Sequence, residues 1–211
     1  MKFNIKLAVF ILFLISLAVL VPIYSKWLYL LDLKHYDLAA QTGLSDQVIA
    51  KNYDVLMNYL LNPFQHSLAL PDFKSSTSGL KHFLDVKLLF HLTQAIFLIS
   101  LPIAVSFWRE LARTKQFWRL INPMRILLFT PLALVFLILV GFDSFFISFH
   151  QLIFRDNSWL FYPSLDPIIL ALPEEYFKHC FILGLVILEG SAFLGYLKGR
   201  RALSVLLNRR F

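Results

Sequence analysis

Long apolar runs alternate with shorter polar segments along the chain. Four runs are long enough to cross a bilayer, at about 7–23, 86–108, 126–147 and 180–197, and each predicts a transmembrane helix. The polar stretch between the first two runs has structure of its own. Trp27 to Tyr36 reads as a short amphipathic helix with aromatics suited to the headgroup layer. Leu44-Ser45-Asp46 reads as a helix entry, with Ser45 as N-cap and Leu44 stapling against Ile49. Ile49, Tyr53, Leu56 and Leu60 then recur at helical spacing until Pro63 stops the helix. Residues 71–81 read as an irregular loop, and Pro102 predicts a kink in the second span. Further on, Asp166-Pro167 has the form of an N-cap with proline at N1. Glu174 and Glu175 open the last helix, where its dipole favours acids. The predicted fold is all-α integral membrane, one membrane domain over 1–211. It has four transmembrane helices and an outer cap of short amphipathic helices between spans 1 and 2, the outer segments being 25–85 and 148–178.

Composition agrees with that pattern. The chain is 58% hydrophobic, with a mean hydropathy of +0.68, too apolar for a soluble domain of 211 residues. A net charge of +7 would suit nucleic acid, but its distribution points elsewhere. Lys2 and Lys6 precede the first run. Arg109, Arg113, Lys115, Arg119 and Arg125 separate the second from the third, and Lys198, Arg200, Arg201, Arg209 and Arg210 follow the fourth. Glu110 is the one acid among them, so the positive-inside rule puts these segments and both termini in the cytoplasm of a multi-pass plasma-membrane protein. No nucleic-acid partner is implied. The basic link and its tryptophans, Trp108 and Trp118, suit an anionic inner leaflet. No small-x-small site follows the first run, only Val21-Pro22-Ile23-Tyr24-Ser25, so it reads as an uncleaved anchor. Cys180 is the single cysteine and reads as a small buried residue rather than a nucleophile.

The chemistry gathers at the outer ends of the spans. His82 and Asp85 are three residues apart and Lys87 and His91 four apart, so each pair shares a helical face where the second run begins. Asp143 and His150, seven apart, share a face where the third run ends. Two histidines and two carboxylates thus arrive at one depth. They are suited to proton transfer, with Asp85 or Asp143 fixing an imidazole tautomer. The plainer alternative is interfacial hydrogen bonding to backbone or lipid phosphate. His82, Asp85 and His150 would also make a metal-ligand set, but no HExxH or cysteine pair supports one, and no metal or cofactor is expected. GxSxG, GxxxxGK[ST] and GxGxxG are all missing, which leaves serine-hydrolase, P-loop and dinucleotide chemistry without support. Asn52 and Tyr53 could hold a polar substrate group or simply pack a cap helix. Trp159 alone reads as an interfacial anchor. Glu189, in the middle of the fourth run, must face protein or water, since an ionised carboxylate there costs about 2.5–3.5 kcal/mol.

His82-Phe83-Leu84-Asp85-Val86-Lys87 opening the second span, Phe149-His150 closing the third, then Trp159, Asp166 and Pro173-Glu174, with Asn52-Tyr53 upstream, together resemble the Lit-type lipoprotein intramolecular transacylases. The resemblance spans essentially the whole chain and rests on the order of several short motifs. It implies transfer of the sn-2 acyl chain of a diacylglyceryl lipoprotein to the α-amino group of its N-terminal cysteine, at the outer face of a Gram-positive cytoplasmic membrane. The partners it implies are the lipoprotein N-terminus and membrane lipid. It makes His82 and His150 the catalytic candidates, with His82, oriented by Asp85, as base. Asn52, Tyr53, Asp143 and Trp159 are the substrate-binding candidates. The rivals are a non-enzymatic scaffold or transporter subunit, for which Glu189 and a broken second span would serve a path, and a lipid ester hydrolase using the same dyad on water.

Overall fold

A computed structural model describes residues 2–131, 135 and 141–208. Among them every regular element is helical: α1 (Phe3–Ile23), α2 (Lys26–His35), α3 (Leu38–Thr42), α4 (Asp46–Leu61), α5 (Thr77–Thr114), a 3-10 turn (Phe117–Leu120), α6 (Ile121–Phe129), α7 (Phe142–Ile153), a second 3-10 turn (Pro167–Ala171) and α8 (Glu174–Asn208). Three described helices, α1, α5 and α8, are long and apolar enough to cross a membrane. The middle of the expected span at 126–147 lies outside the described residues, as do Arg209 and Arg210.

The described residues form two compact units, one within Met1–Ile23, Thr93–Val140 and Phe181–Phe211, the other within Tyr24–Leu92 and Gly141–Cys180. In the first, Phe10 and Leu14 of α1 pack with Ala104, Phe107 and Leu111 of α5, with Leu120 and Met124, and with Ala192 of α8. Lys6 and Glu110 pair there, which answers the one acid of the basic segments.

The second unit is built on three tyrosines. The rings of Tyr29 (α2) and Tyr53 (α4) stack with centroids 3.7 Å and planes 8° apart. Tyr53 shares a 2.9 Å hydroxyl contact with Tyr176 of α8, and Tyr29 donates to the Ala171 carbonyl at 2.9 Å. Burial of the phenol pushes Tyr53 up to about 12, so these hydroxyls stay neutral donors. Ile49, Leu56 and Leu60 lie in the same core, as the helical spacing predicted. Beside it the His179 imidazole meets both oxygens of buried Asp32, at 2.9 and 3.0 Å. Nothing in the spacing announced that pair, which is 147 residues apart.

Several local expectations are corrected. Helix α5 starts at Thr77, inside the stretch expected to be loop, and includes Pro102, the position of the expected kink. The short helix α3 was not foreseen. Asp37 stands before it with φ 45° and accepts from the Ala40 amide. Ser45 holds the N-cap position of α4 but makes no side-chain capping bond. Asp166 likewise precedes Pro167 without capping it, because its carboxylate is engaged by Ser76. The far end of α4 is closed from outside the helix: buried Lys87 donates to the carbonyls of Asn62, at 2.9 Å, and Gln65, with its ammonium 4.4 Å from the centre of the Tyr59 ring. A cation is the charge a helix C-terminus favours.

Candidate active site

The first turns of α5, the loop that follows α7 and the end of α7 itself build the site. Gly79 lets α5 begin in close contact with its neighbours: a Cβ there would lie 2.4 Å from Asp166 Oδ1 and 2.8 Å from a Phe161 ring carbon. Asp166, itself buried, accepts from the Ser76 amide and hydroxyl at 2.7 Å each, which fixes the entry to the helix. One turn on, His82 and Phe83 both point inward. Lys81 is exposed and pairs with Asp85 at 2.8 Å and with Asp156 at 2.5 Å, tying the loop after α7 to α5. Lys81 holds the Asp156 carboxyl well below the usual carboxylate range.

His150 comes from the last turn of α7 and stands across from His82, with ring centroids 5.9 Å apart. The two imidazoles are 9% and 6% exposed, respectively, which removes them from bulk water. Aromatic rings surround them. Phe154 lies 4.7 Å from His82 and 5.6 Å from His150, Phe161 is 5.5 Å from His82, and Trp159 and Phe146 are 5.0 and 4.2 Å from His150. A run of Phe146, Phe149, Phe154, Trp159 and Phe161 around one histidine was visible in the sequence. Only its role as the wall of a site was missed.

Hydrogen bonding sets the two histidines apart. His150 Nδ1 lies 2.7 Å from the Phe146 carbonyl. A carbonyl only accepts, so the proton sits on Nδ1 and the Nε2 lone pair is left for chemistry. His82 Nδ1 is buried with no hydrogen-bond partner among the described residues. His82 lies one turn before Val86, where the apolar stretch of α5 begins, and burial lowers it from 6.5 to about 4, the neighbouring His150 adding to the effect. Burial also lowers His150, against the opposing pull of the Phe146 carbonyl. Both imidazoles are neutral at pH 7.

The remaining candidates divide. Trp159 is brought to the site. Asp85 is not brought to His82: its carboxylate is turned to Lys81 and the solvent. Asn52 is fully buried, gives its amide to the Val48 carbonyl at 2.9 Å and the Asp72 carboxylate at 2.7 Å, and accepts from the Asp72 amide at 3.2 Å. That is a clamp on the loop after α4. Tyr53 is spent in the tyrosine core. Asp143, exposed in the first turn of α7, hydrogen-bonds Glu174. No group of three His, Cys, Asp or Glu side chains among the described residues is arranged to hold a metal ion, so His82, Asp85 and His150 do not form that set. Asp85→Asn is therefore expected to change activity by no more than about threefold, since Lys81 keeps Asp156 and exposed ion pairs contribute little. A loss of a hundredfold in the acyl-transfer rate would instead make Asp85 the group that orients His82.

The chain matches the family described as lipoprotein intramolecular transacylase Lit over residues 4–177. Among solved structures it is similar to the membrane integral lipoprotein intramolecular transacylase Lit from Bacillus cereus. The identity is 32%, the TM-score 0.89, and the match covers 99% of this chain and 97% of that one. Two further structures of that protein carry substitutions of a histidine. The arginine variant is 31% identical with a TM-score of 0.80, covering 98% and 93% of the two chains. The alanine variant is also 31% identical with a TM-score of 0.80, covering 99% and 95%. No curated protein matches the chain.

Proposed function

The chain belongs to the family of lipoprotein intramolecular transacylases, Lit, and from that membership we propose that it moves the sn-2 acyl chain of a diacylglyceryl lipoprotein onto the α-amino group of the same lipoprotein's N-terminal cysteine. One ester C–O bond breaks, one amide C–N bond forms, and a proton passes from nitrogen to the glycerol oxygen. A lyso-form lipoprotein results, with no water consumed.

The observation that carries this reading is the pair of buried neutral imidazoles 5.9 Å apart within aromatic walls. The amine attacks the ester carbonyl to give a tetrahedral adduct with positive nitrogen and negative oxygen. His150, its Nδ1–H committed to Phe146, takes the nitrogen proton on Nε2 and passes it to the departing glycerol oxygen. His82 donates a hydrogen bond to the oxyanion. This assignment exchanges the roles expected from sequence, because Asp85 serves Lys81 and not His82. Nucleophile and ester belong to one molecule, so the protein's task is to bend it into attack geometry. Burial of the dyad among rings keeps out the water that would divert the adduct to hydrolysis. Trp159, Phe154 and Phe161 are the residues placed to hold the lipid.

Further features of the proposal are the four-span single membrane domain, cytoplasmic termini, and outer cap segments 25–85 and 148–178 that put the dyad at the outer face. Co-expression with a model diacylglyceryl lipoprotein, followed by mass spectrometry of its N-terminal peptide, tests the chemistry. The expected product carries one acyl chain on nitrogen and one on glycerol. Release of free fatty acid with an unacylated amine would identify a hydrolase, and an unchanged lipoprotein would favour a scaffold or transport subunit.

The pH dependence has a definite sign. Both histidines titrate below the ordinary 6.5 and remain neutral down to more acid pH. The substrate amine, with pKa about 7.7–8.0, is the group that must lose a proton before attack. The acyl-transfer rate is expected to rise through one inflection in the amine range and to reach its plateau only above about pH 9. A separate inflection at 6.5 would show an ordinary solvated imidazole and contradict the burial argument.

A further inference from the structure

The first unit has a hollow of about 410 Å³ bounded by Phe3, Trp118, Arg119, Ile121, Asn122 and Leu203. It exists because α8 lets another segment come very near. A Cβ at Gly199 would lie 2.9 Å from an Ile121 side-chain carbon and 3.0 Å from the Phe117 carbonyl, so the 3-10 turn Phe117–Leu120 seats directly on the helix. That seat presents Trp118 and Arg119 together, with Leu203 one turn beyond Gly199.

We propose that this hollow holds the headgroup of an anionic phospholipid from the inner leaflet, its phosphate on Arg119 and its glycerol and upper chains against Trp118 and Leu203. The Arg119 guanidinium is stacked 3.5 Å from the centre of the Phe3 ring and, among the described residues, makes one side-chain bond, at 3.1 Å, to Gln116. Stacking and that bond fix the plane of the fork while leaving other N–H groups to donate, the arrangement suited to bidentate phosphate. Asn122 turns its carbonyl oxygen to Arg125 at 3.2 Å, which keeps its NH2 a donor. The surrounding charge has one sign: Lys115, Arg125, Lys198, Arg200 and Arg201 lie on the flanking segments, and the one acid there, Glu110, is matched by Lys6. Exposed Trp118, Ile126 and Phe129 mark a surface that meets lipid rather than a soluble polyanion. The inference rests on the proposed cytoplasmic orientation of this end, and it is independent of the acyl-transfer chemistry.

The test is native mass spectrometry of the full chain released from nanodiscs containing equal phosphatidylglycerol and phosphatidylcholine. Phosphatidylglycerol is expected to be retained in preference, and Arg119→Gln is expected to reduce that retention about fivefold. Arg113→Gln, which removes the same charge outside the hollow, should leave it nearly unchanged. A thermal-unfolding series with added phosphatidylglycerol gives a second readout: it should raise the midpoint of the parent protein and of Arg113→Gln but not of Arg119→Gln. Equal retention of both lipids, equal losses in the two variants, or a midpoint raised equally by inorganic phosphate alone would overturn the proposal.

Discussion

Alanine at position 150 is expected to lower the rate of N-acylation by roughly 10²–10⁴-fold, the usual contribution of a positioned acid–base group. One hydrogen bond sets this expectation. The Phe146 carbonyl takes the Nδ1 proton of His150 and leaves Nε2 as a fixed lone pair in a site shielded from water. No other side chain described there is a neutral base with a defined tautomer. His82→Ala removes the proposed oxyanion donor and is expected to cost roughly 10²–10³-fold. The double variant should be little worse than His150→Ala alone, since groups that serve one transition state do not add. Single-turnover N-acylation measured by mass spectrometry separates these cases. Because both imidazoles are neutral in the folded protein, neither variant strands a buried charge, and thermal unfolding should confirm that each is folded. Activity within tenfold of the parent in either variant would remove that histidine from the chemistry.

Gly79→Ala is the second large effect expected, and it acts through position alone. The added Cβ would meet two groups that have little room to yield. Asp166 is fixed by two 2.7 Å bonds from Ser76, and Phe161 packs 5.3 Å from Phe83 and 5.5 Å from His82. Relief must come from the first turn of α5, which carries His82 three residues later. Overpacking of this kind costs about 1–3 kcal/mol of stability. A displacement of about 1 Å at the dyad is enough to slow transfer about a hundredfold. The unfolding midpoint and the N-acylation rate should therefore fall together. An unchanged midpoint with full activity would mean that the start of α5 shifts freely.

The histidine pair was legible because polarity at the ends of apolar runs is costly, and that cost brings His82 and His150 to one depth from sequence alone. The partner of Asp85 was not legible. Helical spacing places Asp85 near both His82 and Lys81, and the choice falls to electrostatics. A neutral, buried imidazole offers the carboxylate little, while a solvent-facing ammonium offers a full charge. Asn52 and Tyr53 look alike in the sequence as polar groups on one helix. Their separate tasks depend on Asp72 and Tyr176 returning from elsewhere in the chain, which periodicity does not encode. The start of α5 was hidden for another reason. Ser-Ser-Thr-Ser-Gly reads as loop by propensity, yet Gly79 belongs to the helix because the close approach to Asp166 admits no side chain there.

The tyrosine core also sets a schedule for biogenesis. Tyr29 and Tyr53 find their hydroxyl partners 142 and 123 residues downstream, at Ala171 and Tyr176. At roughly 5–20 residues per second of synthesis, the second interval corresponds to about 6–25 s. During that time the apolar faces of α2 and α4 wait without their final cover. A ribosome that stalls before residue 176 would leave them displayed to membrane chaperones and proteases. Helix α8 thus certifies α2 and α4, and a chain that lacks it has no finished core on which to mount its histidines.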